Sequence, residues 1–208
     1  MKNSERIAFI RTTLEELFPK PAIPLNHSDP FTLLVAVLLS ASCTDERVNK
    51  TTPPLFDIGG TPEKMAALNP HDVEKVIHSL GLAKAKSKNL VALSKIIYEK
   101  HRGKVPHTFE ELEALPGVGH KTASVVMAQA FHIPAFPVDT HIFRCARRWG
   151  LSKGKTVQAV ERDLKKQFPK REWIALHLRI IYFARRYCTA LKHHVHECPI
   201  CKMLQEER

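Results

Sequence analysis

No apolar run in this chain is long enough to cross a bilayer. The longest, Phe31 to Leu39, falls well short of the ~20 residues that a spanning helix needs. The opening MKNSERIAFIRTTLEEL mixes charges into its apolar pattern, so no secretory leader is expected. Strand-like alternation, internal repeats, low-complexity tracts and obvious linkers are all missing. Acidic residues are in short supply: 21 Asp and Glu face 32 Lys and Arg, for a net charge of +11. That field favours polyanionic partners and makes binding to them salt-dependent. Cysteines number five, with Cys43 and Cys145 isolated and Cys188, Cys198 and Cys201 clustered. The chain is expected to be soluble and intracellular, and there such a cluster points to metal rather than to disulfides.

At 208 residues there is enough chain for one large domain or two modest ones. Helix signals dominate and the expected fold class is all-α. Ile7, Ile10, Leu14 and Leu17 fall on one helical face. Asp29-Pro30 opens a nearly all-apolar helix through Leu39, expected to be central and buried. Thr61-Pro62 and Asn69-Pro70 are two cap-plus-proline starts; the second helix should end near Leu80, with Gly81 as its left-handed cap. Leu90, Leu93 and Ile97 mark another helix before Gly103. Thr108-Phe109-Glu110-Glu111 reads as a capping box for a short helix ending at Leu115. Further helices are expected over 120–130, from Asp139 or Thr140 to Trp149, along Val157, Val160, Leu164 and Phe168, and finally over 173–187.

Residues 115–123 read LPGVGHKTA, and 18 positions after Lys121 stands Asp139 in FPVDTHIFR. Pro116 ends one helix, and Gly117 and Gly119 permit positive φ and close backbone approach. The amides of Gly117, Gly119 and His120 can then converge on a phosphate at the start of the next helix. A phosphate-binding P-loop is excluded because no glycine directly precedes Lys121. A dinucleotide fingerprint is excluded because Thr122 stands where its third glycine belongs. A lysine nucleophile must be neutral, and both desolvation and a helix N-terminus favour that form. Asp139 alone would read as an ordinary N-cap; the pair together points to chemistry on DNA.

LPGVGHKTASVV followed by FPVDTHIFR resembles the helix-hairpin-helix and Pro-Val-Asp segment of the endonuclease III family of DNA glycosylases. LLSASCTDERVNK, HSLGLAKAKSKNL and the terminal CPIC extend the resemblance over nearly the whole chain. It implies a six-helix barrel domain over 23–133, with the hairpin near 109–130. Residues 1–22 plus 134–208 would form a discontinuous second domain carrying the cysteines at 188–201. The implied activity is base-excision repair: a DNA N-glycosylase with AP lyase activity, acting on damaged bases, oxidised pyrimidines by family expectation, and cleaving 3′ to abasic sites. Lys121 would form a Schiff base and Asp139 would manage charge and protons. Gly117, Val118, Gly119, His120 and Thr122 would contact double-stranded DNA, with Leu82 as a wedge and Ser42 where the family commonly has a stack-filling glutamine. A monomer in the cytoplasm or nucleoid, without a membrane partner, is expected. The rivals are an adenine glycosylase of the same fold, which generally lacks the hairpin lysine, and a non-catalytic helix-hairpin-helix module, which needs neither Lys121 nor Asp139.

The family's iron–sulfur loop follows C-x6-C-x2-C-x5-C. Here nine residues separate Cys188 from Cys198, Cys201 follows, and Glu207 takes the fourth place. Three thiolates are one short of a four-iron (4Fe-4S) cluster. The longer loop brings in His193, His194 and His196, so one of these or Glu207 is the candidate fourth ligand. A four-iron cluster, a structural zinc with three Cys and one His, and a metal-free loop all remain open, with the cluster preferred.

Overall fold

The computed structural model describes residues 2–206, all helix and loop, with no strand among them. It divides into two compact units: Pro24–Ile133, and the residues up to Ile23 together with those from Pro134 onward. No helix among the described residues is long and apolar enough to cross a membrane.

The first helix, α1 (Asn3–Leu17), belongs to the discontinuous unit. The Pro24–Ile133 unit is built around α2 (Pro30–Leu39), buried at every position from Phe31 to Leu39. Asp29 starts it by accepting the amides of Phe31 and Thr32, while the Thr32 hydroxyl accepts the Asp29 amide in return. Around it come α3 (Asp45–Gly59), α4 (Pro62–Ala66), α5 (Pro70–Val76), α6 (Ala83–Lys100), α7 (Phe109–Glu113) and α8 (His120–Ala130). Thr44, Thr61, Asn69 and Thr108 each cap the helix that follows, supplying acceptors for first-turn amides that have no intrahelical partner. The expected capping box at Thr108 is half present: its hydroxyl accepts the Glu111 amide and also bonds the Glu111 carboxylate.

Two expectations fail here. Gly81 does not take the left-handed conformation; Leu82 does, at φ 63°. The helix meant to end at Leu80 is already over at Val76, and hydrogen-bonded turns carry the chain onward.

The other unit packs α1 with α9 (Thr140–Arg148), α10 (Val157–Gln167), α11 (Trp173–Arg186) and α12 (Pro199–Glu206). Two 3-10 turns, Lys170–Glu172 and Val195–Glu197, join them. Its core gathers Ile10, Leu14, Trp149, Leu164, Ile180 and Phe183, with Trp149 meeting Phe183 edge-on at 5.4 Å. Fully burying each aliphatic side chain contributes about 1.5–3 kcal/mol, which pins the amphipathic α1 to the C-terminal helices. Arg179 completes that docking by donating to the carbonyls of Phe18 and Pro19, both at 3.0 Å. Trp173 does not open the last helix as expected, because Cys198-Pro199 starts α12 after it.

Candidate active site and metal centre

The hairpin is a tight connection between α7 and α8. Leu115 and Val118 are buried and close it from beneath, with the Val118 amide bonded to the Leu115 carbonyl at 3.1 Å. Only one of its glycines needs the left-handed region: Gly117 has φ 78°, whereas Gly119 sits at φ −95° in extended backbone. The positive φ allowed for Gly119 is therefore not used. Gly119 is instead the N-cap of α8, and with no side chain it leaves the first turn without a side-chain acceptor. The Gly117 and Gly119 amides meet no acceptor among the described residues. The hairpin thus presents unsatisfied backbone donors at the positive end of a helix, an arrangement that suits a phosphate.

α8 is held rigidly from behind. Ala123 through Ala128 are buried, and the His120 ring stacks on Phe109 at 5.4 Å while bonding the Glu113 carboxylate at 2.7 Å. Thr122 is half-buried on the first turn. Lys121, in the same turn, is exposed, and its amine meets no hydrogen-bond or ion-pair partner among the described residues. The desolvation that the sequence reading assigns to Lys121 is therefore not supplied by neighbouring side chains of the free chain.

Asp139 lies in the other unit, at the end of the buried segment 135–138. It is the N-cap of α9: Oδ1 accepts the Ile142 amide at 2.9 Å, and no partner is found for Oδ2 among the described residues. Its capping role is real, and it leaves one carboxylate oxygen available for other work.

Ser42 and Leu82 are both exposed, and both adopt positive φ, at 57° and 63°. Their loops adjoin: a methyl group added at Gly81 would stand 3.9 Å from the Ser42 carbonyl oxygen. Lys86, which sequence reasoning passed over among the lysines of GLAKAKSK, ties them together. Its side chain is buried and donates to the carbonyls of Leu39 at 2.9 Å and Ala41 at 2.8 Å.

At the C-terminal end, Cys188, His193, Cys198 and Cys201 bring one donor atom each within 4.8 Å of all the others. The three cysteines are buried, and Cys188 Sγ lies 3.8 Å from Cys201 Sγ. His194 and His196 are exposed and outside this group, and Glu207 lies outside the described residues. Cys145, isolated along the sequence, is buried in the same core as these cysteines. Thiol donation from Cys145, Cys198 and Cys201, aided by Arg148, pulls Cys188 far below the usual thiol range. Bonding to that sulfur, with burial, pushes Cys145 and Cys201 up, and Cys198 up to about 11. Two arginines that sequence reasoning also missed brace the loop: Arg148 donates to the Thr189 carbonyl at 2.6 Å and Arg144 to the Cys188 carbonyl at 3.0 Å.

This donor set suits a metal, but its spacing does not suit the family's four-iron cluster. A cubane of iron and sulfide holds its thiolate ligands on the order of 6 Å apart, and no pair in this group exceeds 4.8 Å.

Comparison with known proteins agrees with the fold. Residues 35–170 match the family model described as HhH-GPD superfamily base excision DNA repair protein. Endonuclease III of Bacillus subtilis is 42% identical over 207 residues, covering 99% of this chain and 94% of that protein. A non-covalent endonuclease III–DNA complex superposes with a TM-score of 0.93 at 38% identity, covering 100% of this chain and 99% of that one. A trapped endonuclease III–DNA covalent intermediate gives 0.90, also at 38% identity and full coverage of both chains. With a family model matching well over half its length and a full-length relative at that identity, this chain belongs to the HhH-GPD superfamily of base excision DNA repair proteins.

Proposed function

We propose that this protein is a base-excision-repair DNA glycosylase and AP lyase of the endonuclease III type, acting on duplex DNA with oxidised pyrimidines or abasic sites. The observation that carries this reading is the unengaged Lys121 amine, one residue into the helix that follows the Gly117–Gly119 hairpin. The match to endonuclease III and the superposition on its DNA complexes support the same reading.

The damaged nucleotide is extruded from the duplex, at a lower cost for a poorly stacked lesion. The hairpin amides grip a phosphate near it, which positions the sugar without reading sequence. Lys121 Nζ attacks C1′ as the N-glycosidic bond breaks and the base departs. Loss of the amine protons and opening of the sugar ring give an imine. Packing of the extruded nucleotide around Lys121 excludes water from the amine, and it is the neutral amine that attacks. The free oxygen of Asp139 stabilises the positive charge that develops at C1′ and receives a proton from the attacking amine. The imine acidifies the C2′ proton; its removal expels the 3′ phosphate by β-elimination, and water releases the lysine. Ser42 and Leu82 line the stack from which the base leaves, Leu82 as the wedge. The compact unit Pro24–Ile133 supports the reading of a barrel-type domain over 23–133 bearing the hairpin, with 1–22 plus 134–208 as the second domain. No step of this sequence passes through a metal.

Borohydride reduction during turnover tests the assignment. Wild-type protein is expected to become covalently joined to lesion-bearing DNA, and Lys121→Gln to bind that DNA but give no adduct. Adduct formation that persists in Lys121→Gln removes this lysine from the role. DNA binding without any adduct in the wild type favours the non-catalytic module.

A further inference from the structure

His193 presents an anomaly that the repair chemistry does not absorb. Its Nε2 is buried and meets no hydrogen-bond partner among the described residues. Burying a ring nitrogen without a partner costs about 1–3 kcal/mol, so such an atom calls for an explanation. His193 also brings a ring nitrogen within 4.8 Å of three buried cysteine sulfurs, and a metal ion accounts for the four donors together.

The spacing selects the ion. Four donors about 2.0–2.3 Å from a tetrahedral zinc stand roughly 3.4–3.8 Å from one another. Cys188 Sγ and Cys201 Sγ are already 3.8 Å apart, and the loosest separations in the group close onto zinc with movements of about 1 Å or less. A four-iron cluster would require the donors to stand well beyond the 4.8 Å that bounds them here, with Cys188, Cys198 and Cys201 displaced within the buried core they share with Ile200 and Phe183. The donor chemistry agrees, because three thiolates and one imidazole form a common structural zinc set. Arg148, 3.5 Å from Cys188 Sγ, offsets the negative charge that three thiolates place on the ion.

We propose that Cys188, His193, Cys198 and Cys201 form a mononuclear tetrahedral zinc site that replaces the iron–sulfur cluster of the family. The longer Cys188–Cys198 segment lets the chain fold back far enough to place His193 at the fourth vertex, so no ligand is needed at position 207. The ion fastens the 188–201 loop, which leaves the end of α11, to α12 and takes no part in the reaction.

Metal analysis tests this without reference to activity. Full-length protein is purified anaerobically from cells supplied with both iron and zinc. The expected result is about one zinc per chain, no acid-labile sulfide and no visible absorption. After exchange with cobalt, the ligand-field bands should report three sulfurs and one nitrogen, and His193→Cys should shift them towards a four-sulfur pattern. In chelator competition His193→Ala should retain zinc at least roughly tenfold more weakly, while His194→Ala is unchanged. About four irons with matching sulfide per chain, or protein that takes up no zinc, would overturn the proposal. So would cobalt bands identical in wild type and His193→Cys, a comparison that stays readable if His193→Ala fails to fold.

Discussion

Lys86 Nζ donates a 2.8 Å hydrogen bond to the carbonyl of Ala41, and through it one buried amine holds the turn that presents Ser42. The same amine reaches the Leu39 carbonyl at the end of the central helix, and Lys86 itself stands one turn after Leu82. Lys86→Met keeps the stem and removes the donor. The Leu39 carbonyl is then buried without a partner, so a loss of about 1–3 kcal/mol is expected. A lower urea midpoint at unchanged m-value is the readout. A midpoint equal to that of wild type would mean the turn does not depend on this lysine.

Leu82 combines two unfavourable features: a large apolar side chain 69% exposed, and a left-handed backbone at φ 63°. Non-glycine residues pay roughly 1–2 kcal/mol for that conformation. Leu82→Gly is therefore expected to raise stability by up to about 1 kcal/mol, since glycine adopts the conformation freely and no buried contact is lost. The same substitution removes the proposed wedge, so base excision should fall several-fold while strand cleavage at abasic sites is largely kept. Calorimetry alongside single-turnover excision separates the two effects. A variant that is more stable and equally active would leave Leu82 without a role in the DNA stack.

Much of this was written into local sequence. Asp29, Thr61, Asn69 and Thr108 cap the helices their side chains announce, and the 120–130 helix and the Asp139 cap appear where the pattern places them. These are short-range effects, settled within three or four residues. What stayed hidden depended on distant partners. α3 runs through Pro53 and Pro54, which remove two backbone donors and mask a helix that tertiary packing retains. Lys86 looks like any surface lysine until the fold closes over it. His193 could not be told from His194 and His196 by spacing, because only the path of the loop decides which ring turns inward.

The hairpin glycines should respond differently to one methyl group. At Gly117 an added Cβ meets the Asn89 side chain at 2.6 Å and the backbone has φ 78°, so Gly117→Ala is expected to cost about 2 kcal/mol of stability. At Gly119 the Cβ would meet nothing within 4 Å and the φ is ordinary. Gly119→Ala should leave the melting temperature within about 1 °C of wild type. If a phosphate approaches the bare amides, its methyl still blocks that approach and weakens DNA binding about fivefold, or ~1 kcal/mol. Titration of labelled duplex at fixed salt checks this. Unchanged affinity in Gly119→Ala would argue that the phosphate sits elsewhere.

Asp139 serves α9 as a cap through Oδ1 and leaves Oδ2 free, so its two roles can be separated by substitution. Asparagine keeps the capping oxygen and caps about as well as aspartate. Asp139→Asn should therefore stay within a few tenths of a kcal/mol of wild type, whereas Asp139→Ala loses about 1 kcal/mol. Both lack the carboxylate charge, and both should slow base excision on the order of a hundredfold or more. The loss ought to be smaller on DNA that already carries an abasic site. There the glycosidic bond is gone, no cationic centre develops at C1′, and Lys121 meets an aldehyde in equilibrium with its ring form. Single-turnover rates on matched lesion and abasic duplexes give the ratio directly. Equal slowing on both substrates would place Asp139 in the proton transfers of the imine steps alone, and near wild-type excision by Asp139→Asn would reduce it to a helix cap.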